Sequence, residues 1–173
     1  MKFDNYSIRL VETSDFEAYF DMIQKNRSRL ERFFAGTVSR TNNLEDTLTF
    51  LKVMKEGFEL KTYFAYVIID EQSASMMGFI DLKNIDWTVA KSEIGFFIDA
   101  DYAGKGITSK ALDLFCQFCF DTHGFQKIFL RTQFSVLSGH TTDMCTNKCA
   151  SDDTLQCCEC NQSIVYESIS LHF

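Results

Sequence analysis

The residues best suited to chemistry stand in a short glycine-containing loop, residues 101–107 (DYAGKGI), and on the apolar run that precedes it, residues 93–98. The loop leads into a helical pattern. A helix N-terminus offers backbone N–H groups without internal acceptors and a partial positive charge, so anions bind there. Gly104 and Gly106 permit positive φ and close approach to a phosphate. The pattern predicts an anion site, although a tight turn explains a lone Gly-x-Gly pair equally well.

The loop does not match the better-known phosphate-binding signatures. Lys105 and Lys110 supply positive charge, but neither the Walker pattern GxxxxGK[ST] nor the dinucleotide pattern GxGxxG is present. The identity of the anion must therefore come from the surrounding elements.

Composition narrows the class of protein. The chain has 173 residues and a net charge of −7, which disfavours a nucleic-acid partner. It contains no apolar stretch of the length that a membrane span needs, and its amino terminus lacks the apolar core of a signal peptide. We therefore expect a cytoplasmic protein whose seven Cys are thiols or metal ligands rather than disulfides.

Periodicity predicts the elements that position the loop. Two amphipathic helices follow a first strand at 7–11, and Asn43 is the expected N-cap of the second helix. Three strands, a helix and a final strand are predicted at 63–69, 77–82, 93–98, 108–123 and 127–132. A meander of strands followed by a β-α-β crossover gives an α/β (α+β) fold with a mixed sheet flanked by helices.

Residues 93–99 (EIGFFID), 101–112 (DYAGKGITSKAL) and 127–132 (KIFLRT) together resemble the central motif of the GNAT N-acetyltransferases. The similarity is greatest to the branch that contains ribosomal-protein amino-terminal and spermidine acetyltransferases. It implies a GNAT-like, mainly antiparallel mixed sheet over residues 1–133. It also implies acetyl-CoA as co-substrate, no metal, and a small amine or a protein N-terminus as acceptor.

The resemblance also implies roles for individual residues. Ala103 and Thr108 depart from the family pattern, which usually has Gln or Arg at the first position and often Gly or Ala at the second. Because the family's loop binds pyrophosphate mainly through backbone N–H groups, these changes are compatible with binding. The pyrophosphate contacts carried over are Gly104, Lys105, Gly106, Ile107 and Thr108, and the backbone contacts to the pantetheine arm are Phe97 and Ile98.

Glu93 is the candidate catalytic residue. An amine is mostly protonated at neutral pH, so a base must remove a proton before the amine attacks a thioester. Other family members use an acidic residue near this position. The alternative is an exposed strand carboxylate beside Lys91. For the general acid that would protonate the leaving thiolate, Tyr166 is the only downstream tyrosine, and this role stays unassigned.

The helix after the loop carries residues that invite a chemical role but have simpler explanations. Cys116 and Cys119 stand three residues apart among Phe residues, which favours buried core thiols over a nucleophile or metal pair. His123 ends the helix, where a cation meets the helix dipole, and we interpret this residue as structural.

Residues 134–173 depart from the family pattern, so we expect a separate Cys-rich tail. Two explanations remain open: a shifted reading frame, or a zinc site built from Cys145, Cys149, Cys157 and Cys160. A sheet truncated after residue 132 would leave the edge of its last strand unpaired. The alternative to an active transferase is thus a catalytically silent acyl-CoA-binding or zinc-stabilised interaction module. A homodimer is compatible with the sequence, which identifies neither the acceptor amine nor the oligomeric state.

Overall fold

A computed structural model describes residues 1–132 and two later segments, 154–156 and 163–168. The strands are β1 (Lys2–Phe3), β2 (Tyr6–Leu10), β3 (Phe64–Asp70), β4 (Ser75–Asp86), β5 (Lys91–Ile98), β6 (Lys127–Thr132), β7 (Thr154–Gln156) and β8 (Ser163–Ser168). The α-helices are α1 (Phe16–Leu30), α2 (Ala35–Ser39), α3 (Leu44–Glu59) and α4 (Ile107–Phe118). Every helix and strand predicted within 1–132 is present, and β1 and α2 are additional.

The chain divides into two units, one of residues 1–81 and 96–108 and the other of residues 82–95 and 109–173. In the first unit the hydrogen-bonded strand order is β1-β2-β3-β4-β5, and in the second it is β4-β5-β6-β8-β7. β2 is antiparallel to β1 and β3, and the short turns after β3 and β4 require antiparallel neighbours. β5 and β6 are parallel, so the predicted mixed sheet is confirmed.

The pairing of β5 with β6 stops before either strand ends. The parallel ladder runs from the Lys91–Lys127 pair to the Ile94–Leu130 pair, although β5 continues to Ile98. This is the pattern expected of two strands that separate toward their carboxyl ends. The carboxyl end of β5 therefore has one edge that β6 does not cover.

The expectation that the last family-like strand has an unpaired edge is wrong. β6 pairs in parallel with β8 along its whole length, from Lys127–Ser163 to Thr132–Ser168, and β7 pairs antiparallel with β8. The sequence has strand character over residues 164–173, which overlap β8, but it does not predict how that strand pairs. The zinc-site cysteines fall outside the described residues.

The core of the first unit lies between α1, α3 and the strands. Tyr19 and Ile23 on α1, and Leu51 and Met54 on α3, are almost fully buried and belong to one apolar cluster. The predicted N-cap is confirmed, since the Asn43 side chain accepts a hydrogen bond from the N–H of Asp46 at 2.8 Å. None of the helices in the described part of the chain is long and apolar enough to cross a membrane.

The second unit buries one face of α4 and the turn that follows it. Cys116 and Cys119 are free and buried, as predicted, and burial together with the neighbouring Cys116 raises the pKa of the Cys119 thiol well above its usual range. Partial burial lowers the pKa of the His123 imidazole, which disfavours the cation at this helix end. Its ring packs edge-on against Phe118 and Phe125, with ring centroids 5.2 and 6.2 Å away.

The half-buried His123 imidazole makes a testable contribution to the pH dependence of stability. Because folding lowers the pKa of His123 from its usual 6.5, its stabilising effect is complete above pH about 6.5 and is lost as pH falls through the lower folded value. We expect His123→Phe to fill the same aromatic site and to reduce the loss of unfolding free energy between pH 7.5 and 5.5. Urea denaturation at both pH values measures this loss, and an unchanged loss in the variant would contradict the assignment.

Candidate functional site

The glycine loop connects the end of β5 to the start of α4 within the first unit. Gly104 and Gly106 have φ of +75° and +72°, which other residues adopt at a cost. Residues 103–106 are exposed, and in the described part of the chain no hydrogen bond uses the backbone N–H of residues 104–106. The first-turn N–H groups of α4 add to this set. The arrangement is a concentration of unused donors that can bind an anion.

Both ends of the loop are anchored. The hydroxyl of Tyr102 donates to Asp70 Oδ2 at 3.2 Å, and the Lys105 ammonium lies 5.3 Å from the centre of the Tyr102 ring. On the other side Ile107 is buried. The exposed stretch therefore projects between fixed points, with one lysine charge beside its free N–H groups.

Phe97 and Ile98, the last two residues of β5, direct their backbone polar groups to opposite edges of the strand. The N–H of Asp99 donates to the carbonyl of Met77 on β4 at 2.7 Å. In an antiparallel ladder this direction repeats every second residue, so the polar groups of Phe97 also point to β4. Those of Ile98 point to the opposite edge, where its carbonyl accepts a long 3.4 Å hydrogen bond from Arg29. Of the two predicted pantetheine contacts, Ile98 has the backbone better placed for a ligand.

Glu93 lies in the second unit, on β5, and is buried, with 6% of its surface exposed. Its Oε2 accepts from Asn84 Nδ2 at 2.7 Å and is 3.1 Å from Arg131 Nη1. Its Oε1 is 3.5 Å from the ammonium of Lys83. Three donors thus surround one carboxylate, and Oε1 has the looser contact.

The interpretation of Glu93 as an exposed carboxylate beside Lys91 is wrong, because Glu93 is buried. The Lys91 ammonium lies 3.9 Å from Asp86 Oδ2 instead. Sequence analysis missed both Asn84 and Arg131. Asn84 has φ of +51° inside a strand, a conformation that asparagine tolerates better than most residues. No clear sequence signal indicated Asn84, because it lies beyond the strand predicted at 77–82, whereas β4 continues to Asp86.

The described residues contain no group of three or more His, Cys, Asp or Glu side chains arranged to hold a metal ion. Tyr166, the only candidate for a general acid, stands on β8 opposite Leu130 in the strand register. The general acid therefore remains without an assigned residue.

Comparison with known proteins places this geometry in context. A family model described as "Acetyltransferase (GNAT) domain" matches residues 6–135. Among curated proteins, "Putative ribosomal N-acetyltransferase YdaF" of Bacillus subtilis is 29% identical over 120 residues, which cover 68% of this chain and 63% of the relative. The matched region thus spans less than two thirds of that relative's length.

Solved structures share the fold. The ribosomal-protein-S5-alanine acetyltransferase of Vibrio fischeri superposes with a TM-score of 0.65 at 22% identity, covering 74% of this chain and 70% of that one. RimL, a ribosomal alpha-N-protein acetyltransferase solved in complex with coenzyme A, gives 0.62 at 18% identity, covering 69% and 67%. At these identities the likeness is one of architecture.

Fold and loop together define a mixed α/β protein with a glycine loop between its sheet and a helix. Because the family match extends over residues 6–135 of 173, the chain belongs to the GNAT acetyltransferase family.

The loop's dependence on glycine is testable through stability. A Cβ added at Gly104 would meet no atom within 4 Å, so a substitution is costly only through the positive φ. We expect Gly104→Ala to lower the free energy of unfolding by about 1–2 kcal/mol. Gly36, on α2, is equally open but has no positive φ, so Gly36→Ala should be neutral or stabilising. Chemical denaturation compares the two, and equal effects would show that φ is not the constraint.

Proposed function

We propose that this protein is an acetyl-CoA-dependent N-acetyltransferase that transfers acetyl to a primary amine. The observation that carries the proposal is the loop of residues 104–106, whose backbone N–H groups are unused, immediately before α4 in a chain of the GNAT family. A pyrophosphate is the anion that such a loop would receive from coenzyme A.

The proposed contacts divide coenzyme A into two parts. The pyrophosphate would bind the backbone N–H groups of the loop, with charge from the Lys105 ammonium. The pantetheine arm would run along the uncovered edge of β5, where Ile98 directs its polar groups, and Phe97 would contribute through its position on the strand. The pyrophosphate residues are Gly104, Lys105, Gly106, Ile107 and Thr108.

We infer that residues 1–133 form the acyl-CoA-binding domain and that residues 134–173 are a separate tail. The end of the family match at residue 135 supports this boundary. The pairing of β6 with β8 gives the tail a role in completing the sheet of the second unit.

Glu93 is the proposed base for the amine. In direct transfer the amine nitrogen forms a bond to the acetyl carbonyl carbon, the carbon–sulfur bond breaks, and coenzyme A leaves as a thiolate. The ammonium proton would pass to Glu93, directly or through water. Asn84 and Arg131 occupy Oε2, whereas Oε1 has only the 3.5 Å contact to Lys83, so Oε1 is the oxygen proposed to take the proton.

The acceptor is proposed as a protein N-terminus, a polyamine or a small amine. Relatives described as ribosomal N-acetyltransferases support the first of these, and an acceptor of that kind would place the reaction in the cytoplasm. A catalytically silent acyl-CoA-binding module is the second candidate. It is favoured by the three donors around Glu93, which a purely structural ion pair would also have. Release of free thiol from acetyl-CoA in the presence of amines separates the two.

The coenzyme A site is tested by a matched pair of substitutions. Gly106→Asp and Gly106→Asn have similar size and similar tolerance of positive φ, so they differ mainly by one negative charge. Coenzyme A should raise the melting temperature of the wild type, as any ligand selective for the folded state does. Gly106→Asp should abolish this increase and Gly106→Asn should retain part of it. Full protection of the Asp variant would place the anion elsewhere.

The role of Glu93 is tested by the pH profile of turnover. Glu93→Gln should lower turnover by about 10²-fold or more at low pH. The deficit should shrink at high pH, because free amine becomes plentiful near the amine pKa of about 8 to 10. Asp86→Asn changes a partly exposed carboxylate on β4 in the same way and should leave the profile unaltered. A Glu93 variant that loses melting temperature but keeps the wild-type profile would assign the residue to structure.

A further inference from the structure

Asn26, on α1, has a buried side chain whose amide is fully occupied. Its Nδ2 donates to the carbonyl of Met22 at 2.9 Å and to Asp99 Oδ2 at 3.2 Å. Its Oδ1 accepts from the N–H of Ala100 at 3.0 Å and from Arg29 at 3.1 Å. Only 2% of the residue is exposed. Two of the four bonds go to the chain that leaves β5 toward the glycine loop.

The same stretch is held by a charge network. Lys25, next to Asn26, lies 2.9 Å from Asp99 Oδ2 and 2.7 Å from Asp101 Oδ2. Asp99 Oδ1 accepts from the N–H of Asp101 at 2.9 Å. Burial alone would raise the pKa of Asp99, but the N–H of Asp101, Lys25 and Asn26 together lower it. The carboxylate is therefore a stable acceptor that joins α1 to the turn.

The turn formed by residues 100–102 stands immediately before the exposed loop. Its internal hydrogen bonds run from the N–H of Tyr102 to the carbonyl of Asp99 and from the N–H of Ala103 to the carbonyl of Ala100. Neither of these two hydrogen bonds involves Asn26. Because the loop itself has no internal hydrogen bond from the N–H groups of 104–106, its direction depends on this turn.

We propose that Asn26 is a positioning residue for the anion-binding loop: by clamping Asp99 and Ala100 it fixes the turn from which Gly104–Gly106 project, and so sets the affinity for the coenzyme A pyrophosphate. None of the hydrogen bonds of Asn26 goes to a loop residue that is proposed to touch the ligand. The ligand part of the inference rests on the proposed function, whereas the conformational part does not.

The conformational part is tested by amide hydrogen exchange of the free, full-length protein. Asn26→Ala removes the acceptor of the Ala100 N–H, so faster exchange there is expected from the lost bond alone. Positioning predicts more: the amides of Asp101, Tyr102 and Ala103, which do not bond to Asn26, should also exchange about tenfold faster. Exchange that rises only at Ala100 would overturn the inference.

Two further variants separate positioning from general loss of stability. Asn43→Ala removes an N-cap from α3 and should lower the melting temperature without changing exchange in the turn. Lys25→Met breaks both contacts to the aspartates without opening the core, because the Lys25 side chain is half exposed. It should speed exchange at the same turn amides by a smaller factor, and it decides the question if Asn26→Ala does not fold.

The ligand part is tested by calorimetric titration with coenzyme A. Asn26→Ala should weaken binding by about tenfold or more, since small displacements of a supporting group cost binding and rate steeply. Asn43→Ala should bind as the wild type does. Equal affinity of Asn26→Ala and wild type would overturn the ligand part of the inference. A wild type that does not bind coenzyme A would overturn the proposed function and that same part, while the exchange experiment still decides whether Asn26 positions the turn.

Discussion

The buried carboxylate of Asp99 is the constraint around which the first unit is arranged. A carboxylate removed from water must be matched by hydrogen-bond donors, because leaving it uncompensated costs on the order of several kcal/mol. Asp99 obtains them from the backbone of Asp101, from Asn26 and from Lys25. These partners come from α1 and from the turn after β5, so satisfying one charge brings together the helix and the start of the glycine loop.

A second buried carboxylate, that of Glu93, organises the second unit in a different way. Its partners come from two strands: Lys83 and Asn84 from β4, and Arg131 from β6. Asn84 adopts a strained left-handed backbone conformation while its amide donates to the carboxylate. Strain beside a buried acid is frequent at functional sites, and it is equally what an ion pair that fixes strand register would require. The pH dependence of turnover is the property in which these two roles differ.

Strand β8, in the tail, pairs with the edge of β6 that the family-like part of the chain leaves uncovered. An uncovered strand edge presents unpaired backbone groups and invites association. Here β8 covers β6 over its full length, so the backbone of β6 is paired on both sides along the part that also faces β5. Backbone pairing depends little on side-chain identity, which explains how a segment without the family's motifs can still complete a sheet.

The sequence alone predicted the elements, the family and the glycine loop, because these depend on local patterns. Periodicity indicates which face of a helix is buried. Gly104 and Gly106 indicate a backbone with positive φ, which other residues adopt only at a cost. The contacts around Asn26, Glu93 and His123 depended on tertiary structure. Each brings together groups that are distant along the chain or decides whether a side chain is in water. Partial burial disfavours the charged form of the His123 imidazole, and Glu93 is buried among donors rather than exposed. No local sequence pattern encodes these surroundings.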